Sequence, residues 1–170
     1  MLNEAAITHL LDPRIRECIG YAANAKDMLV FVVGKSGAGK TSFLRKVAQS
    51  LGMTYTPLGG ELSRRLLNIP ARLRPMQIES LADEILAPSN PAGFCIDNTE
   101  ALFDPHLHCD PVRLAFNLSR SRLILFSLNG SYQGRRFTHG YPDHPEHLFV
   151  DLQGVPVIAI TNQQPELHEN

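Results

Sequence analysis

Tryptophan is absent and cysteine is scarce: Cys18, Cys95 and Cys109 are three, an odd number with no Cys-x-x-Cys spacing. That excludes a disulfide framework and fits a reducing, cytoplasmic setting, with Cys95 expected as a buried thiol inside an apolar run. Neither sign of charge dominates. Sixteen Lys plus Arg against 17 Asp plus Glu leave a formal net charge of -1, so there is no global basic field of the kind that drives non-specific nucleic-acid binding, and only a local basic patch would permit DNA contact. The longest apolar run, Met28 to Val33, is far too short to cross a bilayer, and Met1-Leu2-Asn3-Glu4 lacks the charged-then-apolar pattern of a signal peptide. A soluble, unprocessed protein without membrane contact is expected. There is no internal repeat and no low-complexity tract.

What remains is ordinary for a globular chain: 44% hydrophobic and 19% charged residues, with 12 Gly and 12 Pro, over a length of 170 that suits one domain. Ile7, Leu10, Leu11, Ile15 and Ile19 recur at roughly helical spacing and are interrupted by Pro13, so residues 1–27 read as a helical lead-in of two short helices. Met28 to Val33 is continuously apolar and ends in glycine, the pattern of a strand buried on both faces of a parallel sheet. Lys40 to Leu51 carries Phe43, Leu44, Val47, Ala48 and Leu51 on one helical face and is closed by Gly52. A weaker strand follows at Met53 to Leu58, then helices around Glu61 to Leu67 and Pro75 to Leu86. Buried strands at Gly93 to Asp97 and Arg122 to Asn129 flank a helix around Pro111 to Ser119. Residues 130–147 read as a polar, turn-rich loop, 148–160 as one or two closing strands, and 161–170 as a frayed polar tail. Strands alternating with helices predict an α/β domain with a mostly parallel, five-stranded sheet between helices, its core spanning 28–160.

The segment between the first strand and its helix is Gly34-Lys35-Ser36-Gly37-Ala38-Gly39-Lys40-Thr41, which matches Gly-x4-Gly-Lys-[Ser/Thr]. The strand directly before it and the helix directly after it are the context that this phosphate-binding loop requires. Glycines let successive backbone N–H groups converge on phosphate oxygens, and the helix N-terminus adds the positive end of its dipole. Lys40 is expected to reach the β- and γ-phosphates and Thr41 to ligate magnesium, with Ser42 next in line. Asp97 ends an apolar strand, where a P-loop enzyme needs a carboxylate for the magnesium shell; a strand-end Asp that merely starts a turn is the plainer alternative.

Taken together, VVGKSGAGKTSFLRKVA, FCIDNTEALF and LILFSLNG resemble the AAA+ relatives among P-loop ATPases over roughly Met28 to Ile160. Within that group the short chain, the helical lead-in and the IDNTEALF segment resemble BrxF, the small P-loop protein of type 3 BREX phage-defence systems. The resemblance implies a P-loop NTPase core with ATP and Mg2+ as ligands. It also implies assembly as a homo-oligomer or with other defence-system proteins. Members of the group that insert a strand between the loop strand and the acid strand usually place Glu directly after the acid to orient water; here Asn98 holds that slot. Glu100 is the nearest replacement, or an ordinary solvated acid. Asn129 stands where the group keeps a polar γ-phosphate sensor, with Ser127 as second candidate, although Asn before Gly is also a turn signal. Arg135 and Arg136 are candidate arginine fingers for a neighbouring subunit, or solvated surface charges. Set against that resemblance, the helical lid of full AAA+ modules is not expected in residues 161–170, and adenine recognition is expected to fall to the lead-in or to another subunit.

Three functions compete on these residues. The first is ATP hydrolysis with Lys40 on phosphate, Thr41 and Asp97 around magnesium, Glu100 placing water and Asn129 sensing the γ-phosphate. A nucleotide-gated assembly module that hydrolyses slowly or not at all is the second. A small-molecule kinase is the third, with 130–147 and its two arginines a poor substitute for a mobile lid. A GTPase is disfavoured because no Asn-Lys-x-Asp motif occurs, and Thr161-Asn162-Gln163-Gln164 does not replace it. His106, His108 and Cys109, with Asp104 and Asp110, and separately His139, His144 and His147, match no closed zinc spacing and read as exposed polar loops. Arg64, Arg65, Arg72 and Arg74 read as a wetted face.

Overall fold

A computed structural model describes residues 11–87 and 90–169. The first half of the expected lead-in, with Ile7 and Leu10, lies outside them. The second half is helix α1, Pro13–Ala22. Its start is dictated locally: Pro13 presets the helical φ at the first position, and the Asp12 carboxylate accepts the Arg14 N–H at 2.8 Å. Ile15, Cys18, Ile19 and Ala22 form its buried stripe.

Strand β1, Leu29–Gly34, is buried at every position, which is why it reads as an unbroken apolar run rather than an alternation. The chain continues as α2 (Lys40–Leu51), β2 (Thr54–Pro57), α3 (Leu58–Leu66), α4 (Arg74–Ile85), β3 (Phe94–Asp97), α5 (Pro111–Leu118) and β4 (Ile124–Asn129). Next come β5 (Ser131–Gln133), β6 (Arg136–His139), β7 (Leu148–Asp151), β8 (Val157–Thr161) and β9 (Gln164–His168). Gly52 ends α2 in the left-handed conformation at φ 66, as its place after the apolar stripe predicts.

The main sheet runs β2-β3-β4-β1-β8-β9. All pairings are parallel except β8 with β9. The acid-bearing strand β3 is therefore separated from the loop-bearing strand β1 by β4. Val30 and Val32 of β1 pack with α1 and α2 residues such as Ile19, Leu44 and Val47 on one face. Phe31 and Val33 pack with Leu62, Ala82 and Leu118 from α3, α4 and α5 on the other. The connection leaving β1, α2, lies on the first face, and the segment leaving β4 packs Phe137 on the second, so the two depart to opposite faces. In an open α/β sheet, that reversal opens a crevice at the carboxyl ends of the strands.

Two expectations need correction. The sheet has six strands, not five, because residues 164–168, expected as tail, pair antiparallel with β8 through a two-residue turn at Asn162 and Gln163 (φ 49 and 66). An edge strand is held by backbone bonds to one neighbour and needs no apolar face, so Gln164, Pro165 and Glu166 gave no strand signal. Residues 130–147 are not a loop either. They begin a second, three-stranded antiparallel sheet, β5-β6-β7, which also claims 148–151. Phe137 is fully buried against the main core while Arg136 is exposed, an alternation too short to read beside so many polar neighbours. No helix among the described residues is long and apolar enough to cross a membrane.

Candidate phosphate-binding site

The loop between β1 and α2 is shaped by its glycines at three places. Gly37 and Gly39 take φ 79 and 107, which side chains rarely adopt. At Gly34 a Cβ would lie 2.9 Å from the Ile160 carbonyl oxygen and 3.3 Å from Ala38 Cβ and Lys40 Cγ. The loop starts against β8 and curls back onto its own lysine. Gly39 is the N-cap of α2 and offers no side-chain acceptor, so the first N–H groups of that helix are available to an anion.

Lys40 is 7% exposed. Its Nζ donates to the Gly34 carbonyl at 2.7 Å, the Lys35 carbonyl at 3.1 Å and Asn129 Oδ1 at 3.4 Å. These acceptors are neutral, so the buried ammonium is hydrogen-bonded without being neutralised. Burial lowers its pKa from the ordinary lysine value, against the raising influence of Glu100 and Asp97. A cation in that condition gains from an anion placed over the loop.

Asp97, at the end of β3, is 2% exposed. Its Oδ2 accepts the Thr41 hydroxyl at 2.6 Å and the Tyr55 hydroxyl at 2.8 Å. Burial alone would raise its pKa, but hydrogen bonds from Thr41, the Asn98 N–H, Tyr55 and Ser127 outweigh it and hold the carboxyl below the usual value. The pair Thr41–Asp97 is thus an ionised carboxylate joined to a hydroxyl at the first turn of α2. An oxygen-only donor set of this kind suits a hard divalent cation that keeps waters in its shell.

Asn129 ends β4 directly opposite Gly34 in the register, and the Gly130 N–H donates to the Gly34 carbonyl at 3.1 Å. The structure therefore brings Gly34, Lys40, Thr41, Asp97 and Asn129 together. Lys35, Ser36, Thr41 and Ser42 are exposed. Hollows of about 550 and 360 Å³ flank the loop, the first bordered by Tyr132 and Asn162, the second by Asn129, His139 and Tyr141. Ser127 is buried within β4, where its carbonyl accepts the Thr99 hydroxyl at 2.6 Å.

Asn98 is exposed and left-handed at φ 56. Asn tolerates that conformation better than Glu does, a backbone reason for its occupying this slot. Its carbonyl presses on Gly59 of α3, where any Cβ would overlap it. Glu100 is itself exposed and opens a 3-10 turn, Glu100–Phe103, whose Leu102 and Phe103 are buried; it lies near enough for its charge to act on Lys40. Arg135 lies in the β5–β6 turn at φ 69, and Arg136 sets its guanidinium 5.5 Å from the Phe149 ring centroid. Neither contacts the loop among the described contacts. Arg64 and Arg65 pair with Glu61 at 2.7 and 3.0 Å, and Arg74 Nε donates to the Leu66 and Ile69 carbonyls at the end of α3.

Sequence reasoning missed three contributors. Tyr55 sits on a four-residue strand with no motif around it. Gln163 reaches the loop from the β8–β9 turn: its N–H donates to the Ala38 carbonyl at 2.9 Å and its Nε2 to the Gly37 carbonyl at 3.3 Å. His139, expected in an exposed loop, is 8% exposed, stacks on Phe103 at 3.9 Å between centroids and contacts the Asn129 carbonyl through Nδ1. Among the described residues no three His, Cys, Asp or Glu side chains converge as a metal site. Comparison with known proteins finds no matching family model, no similar curated protein and no similar solved structure.

Proposed function

We propose that the chain binds ATP with magnesium at Gly34 to Ser42 and hydrolyses it slowly, as a nucleotide-switched component of a multi-protein assembly. The observation that carries this reading is the buried, un-neutralised Lys40 ammonium beside an ionised Asp97 that is already bonded to Thr41. A triphosphate supplies the directly bonded anion that the neutral acceptors of Lys40 do not. Magnesium, when bound, draws charge from the phosphate oxygens. On this chain's side, the loop N–H groups and Lys40 hold phosphate, Thr41 and Asp97 hold the cation and its waters, and Asn129 meets the γ-phosphate from β4. The position of β4 between the loop and acid strands supports an AAA+-like P-loop core over other P-loop arrangements. The BrxF resemblance favours bacterial phage defence as the setting, with other copies or defence-system proteins as partners.

Asn98 favours a second reading, a gated module that binds ATP without turning it over. With no carboxylate directly after Asp97, water activation falls to Glu100, which is exposed. One experiment separates the two: sizing the purified protein with ATP, ADP and no nucleotide while following phosphate release. Release together with an ATP-dependent size supports the first reading, and a size change without release supports the second. No binding of either nucleotide would overturn both.

A further inference from the structure

Tyr55 belongs to none of the motifs, yet its hydroxyl lies 2.8 Å from the Asp97 oxygen that also accepts Thr41. Resting on the nucleotide reading above, we propose that Tyr55 is a positioning residue: it braces Asp97 so that the acid stays aimed at the magnesium site whether or not Thr41 is engaged by the metal.

The placement follows from the sheet. Tyr55 is opposite Cys95 in the β2–β3 register, two residues before Asp97, so Tyr55, Cys95 and Asp97 project to the same face. That face carries α2. Thr41 and Arg45 lie one turn apart on α2, and the Arg45 guanidinium sits 4.6 Å from the Tyr55 ring centroid. The ring is thereby held from the helix side while its hydroxyl meets the carboxylate. Tyr55 is half-buried and Asp97 almost fully buried, so the bond is sheltered without being sealed off.

Oδ2 of Asp97 has two hydroxyl donors with different duties. Thr41 is the residue expected to offer its oxygen to magnesium, so its geometry must adjust when the metal arrives. Tyr55 has no such duty. Without it, Oδ2 would keep only one of its two hydroxyl donors, and the Asn98 N–H and Ser127 would have to hold the carboxylate while Thr41 turns to the metal. The cost should fall on metal recruitment and leave the glycine loop's hold on phosphate untouched.

The test compares parent and Tyr55→Phe by fluorescence anisotropy of a fluorescent ATP analogue, first in EDTA and then across a magnesium titration. The expected result is a magnesium midpoint raised roughly tenfold, as for loss of one hydrogen bond to a charged group, with affinity in EDTA unchanged. Arg45→Gln, which keeps the hydroxyl but removes the charge over the ring, should shift the midpoint the same way by less. An unchanged midpoint in Tyr55→Phe overturns the brace, and so does equal weakening with and without magnesium, which marks a merely structural role. If the parent itself binds no analogue, the nucleotide reading fails, a result separate from any difference between the variants. Phenylalanine keeps the ring, and unfolding midpoints of both proteins check the fold.

Discussion

Two segments leave the carboxyl ends of neighbouring central strands and solve opposite problems. The Gly34–Gly39 loop leaves β1 and keeps polar backbone and one cation poised for a ligand. The 130–151 segment leaves β4 and uses three short strands to bury Phe137 and His139 against the main core. Gly34 and Asn129 start them side by side. The loop is built by removing side chains, the small sheet by inserting them, so the same kind of substitution should hurt the two regions in different currencies. Binding should fail in the first, folding in the second.

The largest expected effect is on the folding side. Phe137→Ala empties a fully buried position and should destabilise the protein by about 3–5 kcal/mol in urea unfolding, while the folded fraction keeps its nucleotide affinity. A loss under about 1 kcal/mol would make the small sheet peripheral and dissolve the contrast. Next comes the loop: Lys40→Ala should weaken ATP binding at least about 100-fold, the loss of one strong charge-assisted bond or more, with the unfolding midpoint almost unmoved. Equal affinity in calorimetric titration would end the phosphate reading. Glu100→Gln should leave ATP affinity intact and slow phosphate release about tenfold or more; turnover equal to the parent would remove Glu100 from the mechanism. The smallest effect sharpens the boundary between the regions. His139→Ala removes the Phe103 stack and the Asn129 carbonyl contact and should cost about 1–2 kcal/mol of stability. A loss of affinity larger than the loss of stability would move His139 into the binding site through Asn129.

The same contrast explains what was legible in the sequence. The loop could be read because its geometry permits few residues: left-handed Gly37 and Gly39, a crowded Gly34, a cation at Lys40. β1, β3 and β4 could be read because strands buried on both faces must be apolar throughout. β5, β6 and β9 escaped because three to five residues at a half-exposed or edge position satisfy their backbones without an apolar pattern. Tyr55 and Gln163 escaped for another reason. Tyr55 reaches Asp97 from β2 and Gln163 reaches the loop from the β8–β9 turn, and only the order of strands in the sheet brings them near. Asn98 was visible as a departure from the resembling family, but its left-handed backbone was not.

The grip of Gln163 on the loop has a mechanical consequence. β9 hangs on the sheet by a single neighbour, and its turn holds the Gly37 and Ala38 carbonyls. Separation of β9 from β8 would therefore loosen the turn that ties down the Gly34–Gly39 loop. The shape of a central loop thus depends on an edge strand, and amide exchange at Gln163 reports whether that tie is closed.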